Sequence, residues 1–452
     1  MAKFTLNEIC LATGGQLVAG SDCNFSGICT DSRKIKSGQL FIALMGENFD
    51  GHQFTSAVVQ QGAAGVLVSQ NVVVPDSLPV IKCDDTLKAL QDIAAYHRQR
   101  FTLPVIAITG SNGKTTTKDM LAAILSKQFK VLKTQANFNN EIGLPFTLLS
   151  LQPEHEVAVV EMGMRGLGQI TALTRIARPT AGIVTTVGET HMELLGSREN
   201  IAKAKAELVE AIDPQGFVVL NADNPYVAAM ASKARCAVIT FGLRAASDVQ
   251  GKNVRSSVDG VSFDCTYDGR CFAVHIPALG EHNVMNALAA LAAGFKLGMN
   301  EKDMVVGLKQ FAPSGMRMAI EKVGPYQIIN DAYNASPASM VSALQTLVCL
   351  RSGRTVAVLG DMFELGELAE QAHGDIGKTA AQLGVDLIVT VGKLGQLIAD
   401  GAQLHGHKAV FACQNQAEAL LVLHEKLVSG DVILIKGSRG MKMEQLIPQL
   451  VK

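Results

Sequence analysis

Val105-Ile-Ala-Ile-Thr109 followed by Gly110-Ser-Asn-Gly-Lys-Thr-Thr116 is the stretch on which the fold turns. The first five residues are apolar almost throughout rather than alternating, which predicts a strand buried on both faces, as in a parallel sheet. The next seven predict a turn that cradles phosphate. Gly110 and Gly113 let backbone N–H groups close on phosphate oxygens, with Ser111, Asn112 and Thr116 supplying further amides. Lys114 reaches the terminal phosphates, and the Thr115 hydroxyl suits a magnesium ion. Counted from Gly110 the loop is two residues shorter than the common G-x-x-x-x-G-K-[ST] form. Its place between a buried strand and a helical pattern from Thr117 to about Lys127 is what gives it weight.

Similar apolar runs recur at Val157–Val160, Gly182–Thr186, Phe217–Leu220 and Ala237–Thr240, with helical patterns between several of them. That rhythm predicts an α/β protein with a doubly wound, mostly parallel sheet. Upstream, Gln39–Leu44 and Ala64–Val68 are short strand candidates, and Leu87–Arg100 is an amphipathic helix candidate. Downstream, Val254–Pro277 is turn-rich and β-like, and Asn283–Leu297 is an Ala-rich helix candidate. Phe311-Ala-Pro-Ser-Gly315 resembles a hinge. Beyond it, strand candidates at Thr355–Leu359, Asp386–Val391, Lys408–Phe411 and Val432–Ile435 predict a second, smaller α/β domain. The expected division is therefore 1–85, 86–313 and 314–452.

Composition narrows the function classes. The 452 residues carry 40 Lys+Arg against 41 Asp+Glu, so net charge offers no electrostatic case for nucleic acid. No uncharged apolar run approaches the roughly 18 residues of a membrane helix. The N-terminus has an acidic residue, Glu8, where a signal peptide would be apolar. Nine scattered cysteines, without C-x-x-C or His-paired spacing, fit free thiols in a reducing compartment. A cytoplasmic enzyme without membrane insertion is the expectation.

A nucleotide needs a metal. Glu161 lies at the end of its strand candidate and His191 a few residues beyond the next, both at the edge where parallel sheets bind ligands. Each alone also reads as an ordinary strand-end residue.

Taken together, Thr109-Gly-Ser-Asn-Gly-Lys-Thr115, Glu161-Met-Gly163 and His191 resemble, in that order, the Mur ligases, ATP-dependent amide-forming enzymes of peptidoglycan precursor synthesis. Gly280-Glu-His-Asn283-Val-Met-Asn286 and Asn330-Asp331-Ala-Tyr333-Asn334 resemble the family's later nucleotide motifs. The resemblance implies three domains: a UDP-binding N-terminal domain, a central ATPase domain, and a Rossmann-like C-terminal domain that closes over ATP. Asn137–Pro145, Asp331–Ser336, Val358–Gly366 and Lys436–Arg439 narrow the implied activity. It is the joining of D-alanyl-D-alanine to UDP-N-acetylmuramoyl-tripeptide, with ATP and magnesium, by a monomer.

The resemblance also implies site residues. Ser32, Arg33, Phe41 and His52 would serve the UDP-sugar, and Asn139, Asn140, Tyr333 and Asn334 the substrate. Asn283 would meet adenine, Asp331 the ribose, and Arg317 the phosphates. Lys205 would be carbamylated and would hold magnesium with Thr115, Glu161 and His191, while Lys203, on another helix face, stays solvated. Lys114, Lys205, His191 and Arg317 form the implied catalytic set. The family often has two acidic residues where this chain reads Asn330-Asp331, so only Asp331 takes the acidic role. Two alternatives stay open: a sister ligase adding lysine or diaminopimelate, and a P-loop switch ATPase that ligates nothing.

Overall fold

A computed structural model describes residues 2–257, 259–313 and 315–451. Ser314, in the hinge expected at 311–315, lies outside the described residues. The chain divides into two compact units, one of Met1–Ala107, Phe129–Met164 and Gly168–Ala181, the other of Ile108–Gln128, Arg165–Leu167 and Gly182–Lys452.

The first unit carries a five-stranded sheet. Its order is Gln16–Ala19, Val80–Lys82, Gly65–Val68, Leu40–Ile42, Ile28–Cys29. All neighbours are parallel except Gln16–Ala19, which pairs antiparallel at the edge. One face packs Cys29, Phe41, Val58, Val66 and Val80 into a core. The helix Thr86–Arg98 opens on an Asp85 cap that accepts from the Leu87 and Lys88 N–H groups, satisfying donors the first turn cannot use. In the same unit Val131–Lys133 pairs parallel with Val157–Glu161.

In the second unit, Ala181–Val184, Phe217–Asn221, Ala237–Gly242, Val249–Ser257, Gly260–Tyr267 and Arg270–Ile276 are successive neighbours in one sheet. The segment read as β-like from 254 to 277 is an antiparallel meander of the last three strands. It joins the parallel run where Phe241 and Gly242 pair with Val249 and Gln250. The helix Glu281–Lys296 is buried over most of its length through Val284 and Ala287–Gly294, which suits its small side chains. The smaller sheet has the order Ala319–Val323, Tyr326–Asn330, Val432–Lys436, Thr355–Gly360, Leu387–Val391, Val410–Cys413. It is parallel except for the edge hairpin of Ala319–Val323 on Tyr326–Asn330. Apolar clusters cover both of its faces, as an all-buried parallel core requires.

No described helix is long and apolar enough to cross a membrane. All nine cysteines are free.

Candidate active site

The strand Val105–Thr109 passes into the loop 110–113, and the helix Lys114–Leu125 begins immediately. It starts three residues before the apolar pattern suggested, because Lys114, Thr115 and Thr116 are its first turn. Its N-cap is Gly113 at φ 85, with no side chain occupying the helix end, so the first-turn amides and the dipole face outward.

The loop has no room for a side chain at either glycine. A Cβ on Gly110 (φ 150) would lie 1.9 Å from Thr185 Oγ1, and one on Gly113 2.3 Å from Asn286 Oδ1. Thr185 and Thr186 hold the loop from the next strand end. The Thr185 hydroxyl donates to the Asn112 carbonyl (2.6 Å), and Ser111 N–H donates to the Thr186 carbonyl (2.8 Å). Gly188 N–H donates to Ser111 Oγ at 2.9 Å. Lys114 Nζ turns back onto the Gly110 carbonyl (2.7 Å), placing the ammonium over the loop's mouth.

Asn286 is the residue that sequence reasoning quoted but did not assign. Its amide donates to Asn283 Oδ1 (3.0 Å) and its carbonyl oxygen accepts from Thr117 (3.3 Å), tying the helix Glu281–Lys296 to the phosphate-loop helix. Asn283 in turn donates to the Leu279 carbonyl at 2.7 Å. Its neighbour His282 is half-buried, with Nδ1 2.6 Å from Ser342 Oγ. Burial pushes that imidazole below the usual histidine range.

Lys205 sits on the helix Arg198–Ala211 and is 2 % exposed, whereas Lys203 is exposed. Burial first, and then the positive charge of Lys114, hold its amine well below the ordinary lysine range. His191, at φ 69, has Nδ1 2.6 Å from Glu364 Oε2. The imidazole beside it, ahead of the opposing effect of burial, lowers the Glu364 carboxyl.

Asp331 is ion-paired with Lys436 (2.6 Å) and accepts from Met318 N–H. Lys436 also donates to the Asn334 carbonyl at 2.8 Å. The Arg317 guanidinium lies over the Tyr333 ring, 3.8 Å from its centroid, a cation–π contact. Ser336 Oγ reaches Asn112 Oδ1 at 3.4 Å. The structure thus brings Lys114, Asn112, Asn286 and Ser336 together around the loop, with Lys205 near enough to feel Lys114.

In the first unit, Glu161 is 2 % exposed and accepts from Asn139 Nδ2 at 2.8 Å. Asn140 Oδ1 accepts from Gly143 N–H at 2.8 Å, at the start of the helix Gly143–Leu148. Asp31 accepts from both the backbone and the guanidinium of Arg33, which lowers its pKa to about 2. Ser32 lies between them, partly exposed. Phe41 is fully buried in the core. His52 is held between Asp50 (2.6 Å) and the Ser69 N–H (3.0 Å). Among the described residues no cluster of three or more His, Cys, Asp and Glu side chains is built to hold a metal by itself.

The sequence matches the Mur ligase family catalytic domain over residues 24–98, the Mur ligase middle domain over 108–294, and the Mur ligase glutamate ligase domain over 316–439. It is 43% identical over 430 residues to the UDP-N-acetylmuramoyl-tripeptide–D-alanyl-D-alanine ligase of Bacillus subtilis (strain 168), covering 94% of this chain and 93% of that one. The structure resembles that of MurF from Acinetobacter baumannii with a TM-score of 0.93 and 35% identity, over 100% of this chain and 99% of that one. It shares its fold with MurF from Thermotoga maritima, solved in complex with ADP, at a TM-score of 0.83 and 24% identity, over 94% and 96%. The chain belongs to the Mur ligase family.

Proposed function

We infer that the protein is an ATP-dependent ligase that joins D-alanyl-D-alanine to UDP-N-acetylmuramoyl-tripeptide in peptidoglycan precursor synthesis. The observation that carries this reading is the likeness, along nearly the whole chain, to a ligase of that specificity. The enzyme acts as a cytoplasmic monomer. Residues 1–85 bind the UDP-sugar, 86–313 bind ATP, and 314–452 complete the ligase.

A peptide carboxylate is a poor electrophile. Its oxygen therefore attacks the γ-phosphorus of ATP, the bond to the β-phosphate oxygen breaks, and ADP leaves an acyl phosphate behind. The dipeptide amine attacks the acyl carbon, a proton is lost, and the tetrahedral intermediate collapses with phosphate as the leaving group.

This chain's part is positioning and charge stabilisation. The stretch Gly110–Thr116 receives the phosphates, chiefly through the uncapped amides from Gly113 onward, while Ser111 and Asn112 brace the turn on Thr186. Lys114 moves from the Gly110 carbonyl to the phosphoryl oxygens as charge spreads over them. Arg317 adds a second cation, and Asn283 and Asp331 hold the nucleoside. Ser32, Arg33 and His52 meet the UDP-sugar, with Phe41 supporting that surface from the core. Asn139, Asn140, Tyr333 and Asn334 position the acyl substrate.

The donor set suits magnesium once Lys205 is carbamylated. Burial and Lys114 lower the pKa of the Lys205 amine, which favours the unprotonated nucleophile that adds to carbon dioxide, and the carbamate that forms, with loss of a proton, is an anion Lys114 favours. Thr115, Glu161, His191 and that carbamate would hold the metal. Bound there, magnesium would neutralise phosphate charge.

A phosphate-release panel tests the function. UDP-muramoyl peptides are crossed with D-alanyl-D-alanine and with single amino acids. Release is expected only with the tripeptide acceptor and the dipeptide together; equal release with lysine or diaminopimelate, or with no acceptor, would refute it.

A further inference from the structure

His191 is met by a loop from the smaller sheet, which follows the strand Thr355–Gly360. Three contacts define the meeting. His191 Nδ1 lies 2.6 Å from Glu364 Oε2. The Glu193 N–H donates to the Glu364 carbonyl at 3.1 Å. A Cβ on Gly366 would come within 3.1 Å of Glu193 Cα, so the two backbones touch. His191 and Glu364 both have left-handed backbones, φ 69 and φ 63. That conformation is unfavourable for a non-glycine residue, and such strain gathers where geometry matters to function.

The loop that presents Glu364 is rigidly held. Met362 and Leu365 are buried in the core beneath the smaller sheet. Met362 N–H donates to His373 Nε2 at 2.9 Å, and Phe363 N–H to Ser438 Oγ at 2.8 Å. Glu364 itself stays partly open, with its side chain 42% exposed. A carboxylate is thus delivered on fixed supports to one nitrogen of an imidazole. The ring meets it at short range without an aligned hydrogen bond, so a small turn of either side chain completes the bond.

We propose that Glu364 is a positioning residue for the ligation. It engages His191 through Nδ1 and so presents Nε2 to the metal–phosphate centre. The proposal rests on the reading of His191 as a magnesium ligand. Imidazole ligands donate their second N–H to a carboxylate or carbonyl, which fixes the tautomer and the ring's orientation. Here the carboxylate comes from the smaller sheet while the imidazole follows the strand Ala181–Val184. Metal affinity is thereby coupled to the seating of the smaller sheet's loop.

Glu364→Gln keeps the shape and removes the charge. Its test is calorimetric binding of a non-hydrolysable ATP analogue across a magnesium series, alongside thermal midpoints and KM values. Glu364→Gln is expected to raise the magnesium concentration for half-maximal analogue binding about tenfold. Analogue affinity without magnesium, the thermal midpoint and the KM for D-alanyl-D-alanine should stay at wild-type values. His191→Asn, which tolerates positive φ, should produce the same shift, and the double variant no more than either single one.

If His191→Asn shifts the requirement and Glu364→Gln does not, the positioning role is wrong while the ligand reading stands. If His191→Asn shifts nothing, the ligand reading falls and takes this inference with it. A rise confined to the KM for D-alanyl-D-alanine would overturn the proposal by placing Glu364 on the substrate itself.

Discussion

Two loops leave the carboxyl ends of parallel strands in this molecule, and they are built in opposite ways. Residues 110–113 follow Val105–Thr109 and are shaped by absence: Gly110 and Gly113 have positive φ and no space for a Cβ. Residues 361–366 follow Thr355–Gly360 and are shaped by side chains. Asp361 accepts from Gly395 N–H (2.7 Å), and His373 accepts from Met362 N–H. The first loop commits its Ser111 and Asn112 amides to Thr186 and opens directly onto the uncapped first turn of a helix. The second spends its hydrogen bonds on itself and leaves one carboxylate, Glu364, directed at His191. A loop of the first kind is expected to fail in function before stability when mutated, and a loop of the second kind the reverse.

The largest expected effect comes from Gly113→Ala. The new Cβ would press on Asn286 Oδ1 and take up a left-handed backbone. Displacing the loop by a fraction of an ångström to relieve this should lower kcat/KM for ATP about a hundredfold. Alanine at φ 85 is strained whatever the space, so the thermal midpoint should fall too, but only by the few degrees that about 1 kcal/mol represents. A variant with wild-type turnover would show that the loop tolerates side chains, and the contrast would dissolve.

Asp361→Ala probes the other loop. Burial raises the Asp361 carboxyl above the usual range, against the amides that lower it. Removing it strands the buried Gly395 N–H, at a cost of about 1–3 kcal/mol. Denaturant unfolding should register that loss, while affinity for an ATP analogue without magnesium stays unchanged. Equal loss of analogue affinity would mean the two loops are one cooperative site.

The contrast also sets what was legible in the sequence. A glycine-built loop announces itself, since only glycine fits, and the strand Val105–Thr109 falls where its apolar run placed it. So do three strands of the smaller sheet, whose two-sided burial leaves unbroken apolar runs; the fourth, expected at Lys408–Phe411, runs over Val410–Cys413 at the edge, where burial is incomplete. The meander from Val249 was visible only as β-like, because partner and direction of pairing are set by contacts distant in sequence. Ala319–Val323 alternates half-buried and exposed residues at the sheet edge, and Tyr326–Asn330 inside it is buried only over its last three residues, so neither gave such a run. Asn286 was readable as motif but not as the brace under Gly113. Nothing local to Glu364 signals His191; that pairing exists only once the smaller sheet's loop is seated.

The smallest expected effect is a pH dependence of the second loop. His373 accepts from Met362 N–H at Nε2, so its proton sits on Nδ1, which donates to the Ala369 carbonyl at 2.6 Å. Burial lowers its pKa, against the raising effects of that carbonyl and of Asp361. A histidine with a depressed native pKa binds its proton more readily when unfolded. Its stabilising contribution is therefore present above the unfolded value of about 6.5 and is lost as pH falls through the native value. Protonated, Nε2 would turn an N–H against the Met362 N–H. Between pH 7.5 and pH 5.5 the thermal midpoint should fall, with His373 contributing roughly 2–4 °C. His373→Gln, whose amide oxygen can accept from Met362, should flatten that part of the slope. A slope that His373→Gln leaves untouched would move the acid sensitivity to His282 or His97, whose pKa values burial also lowers. The loop's self-sufficiency would then rest on Asp361 and on the Phe363 N–H bond to Ser438.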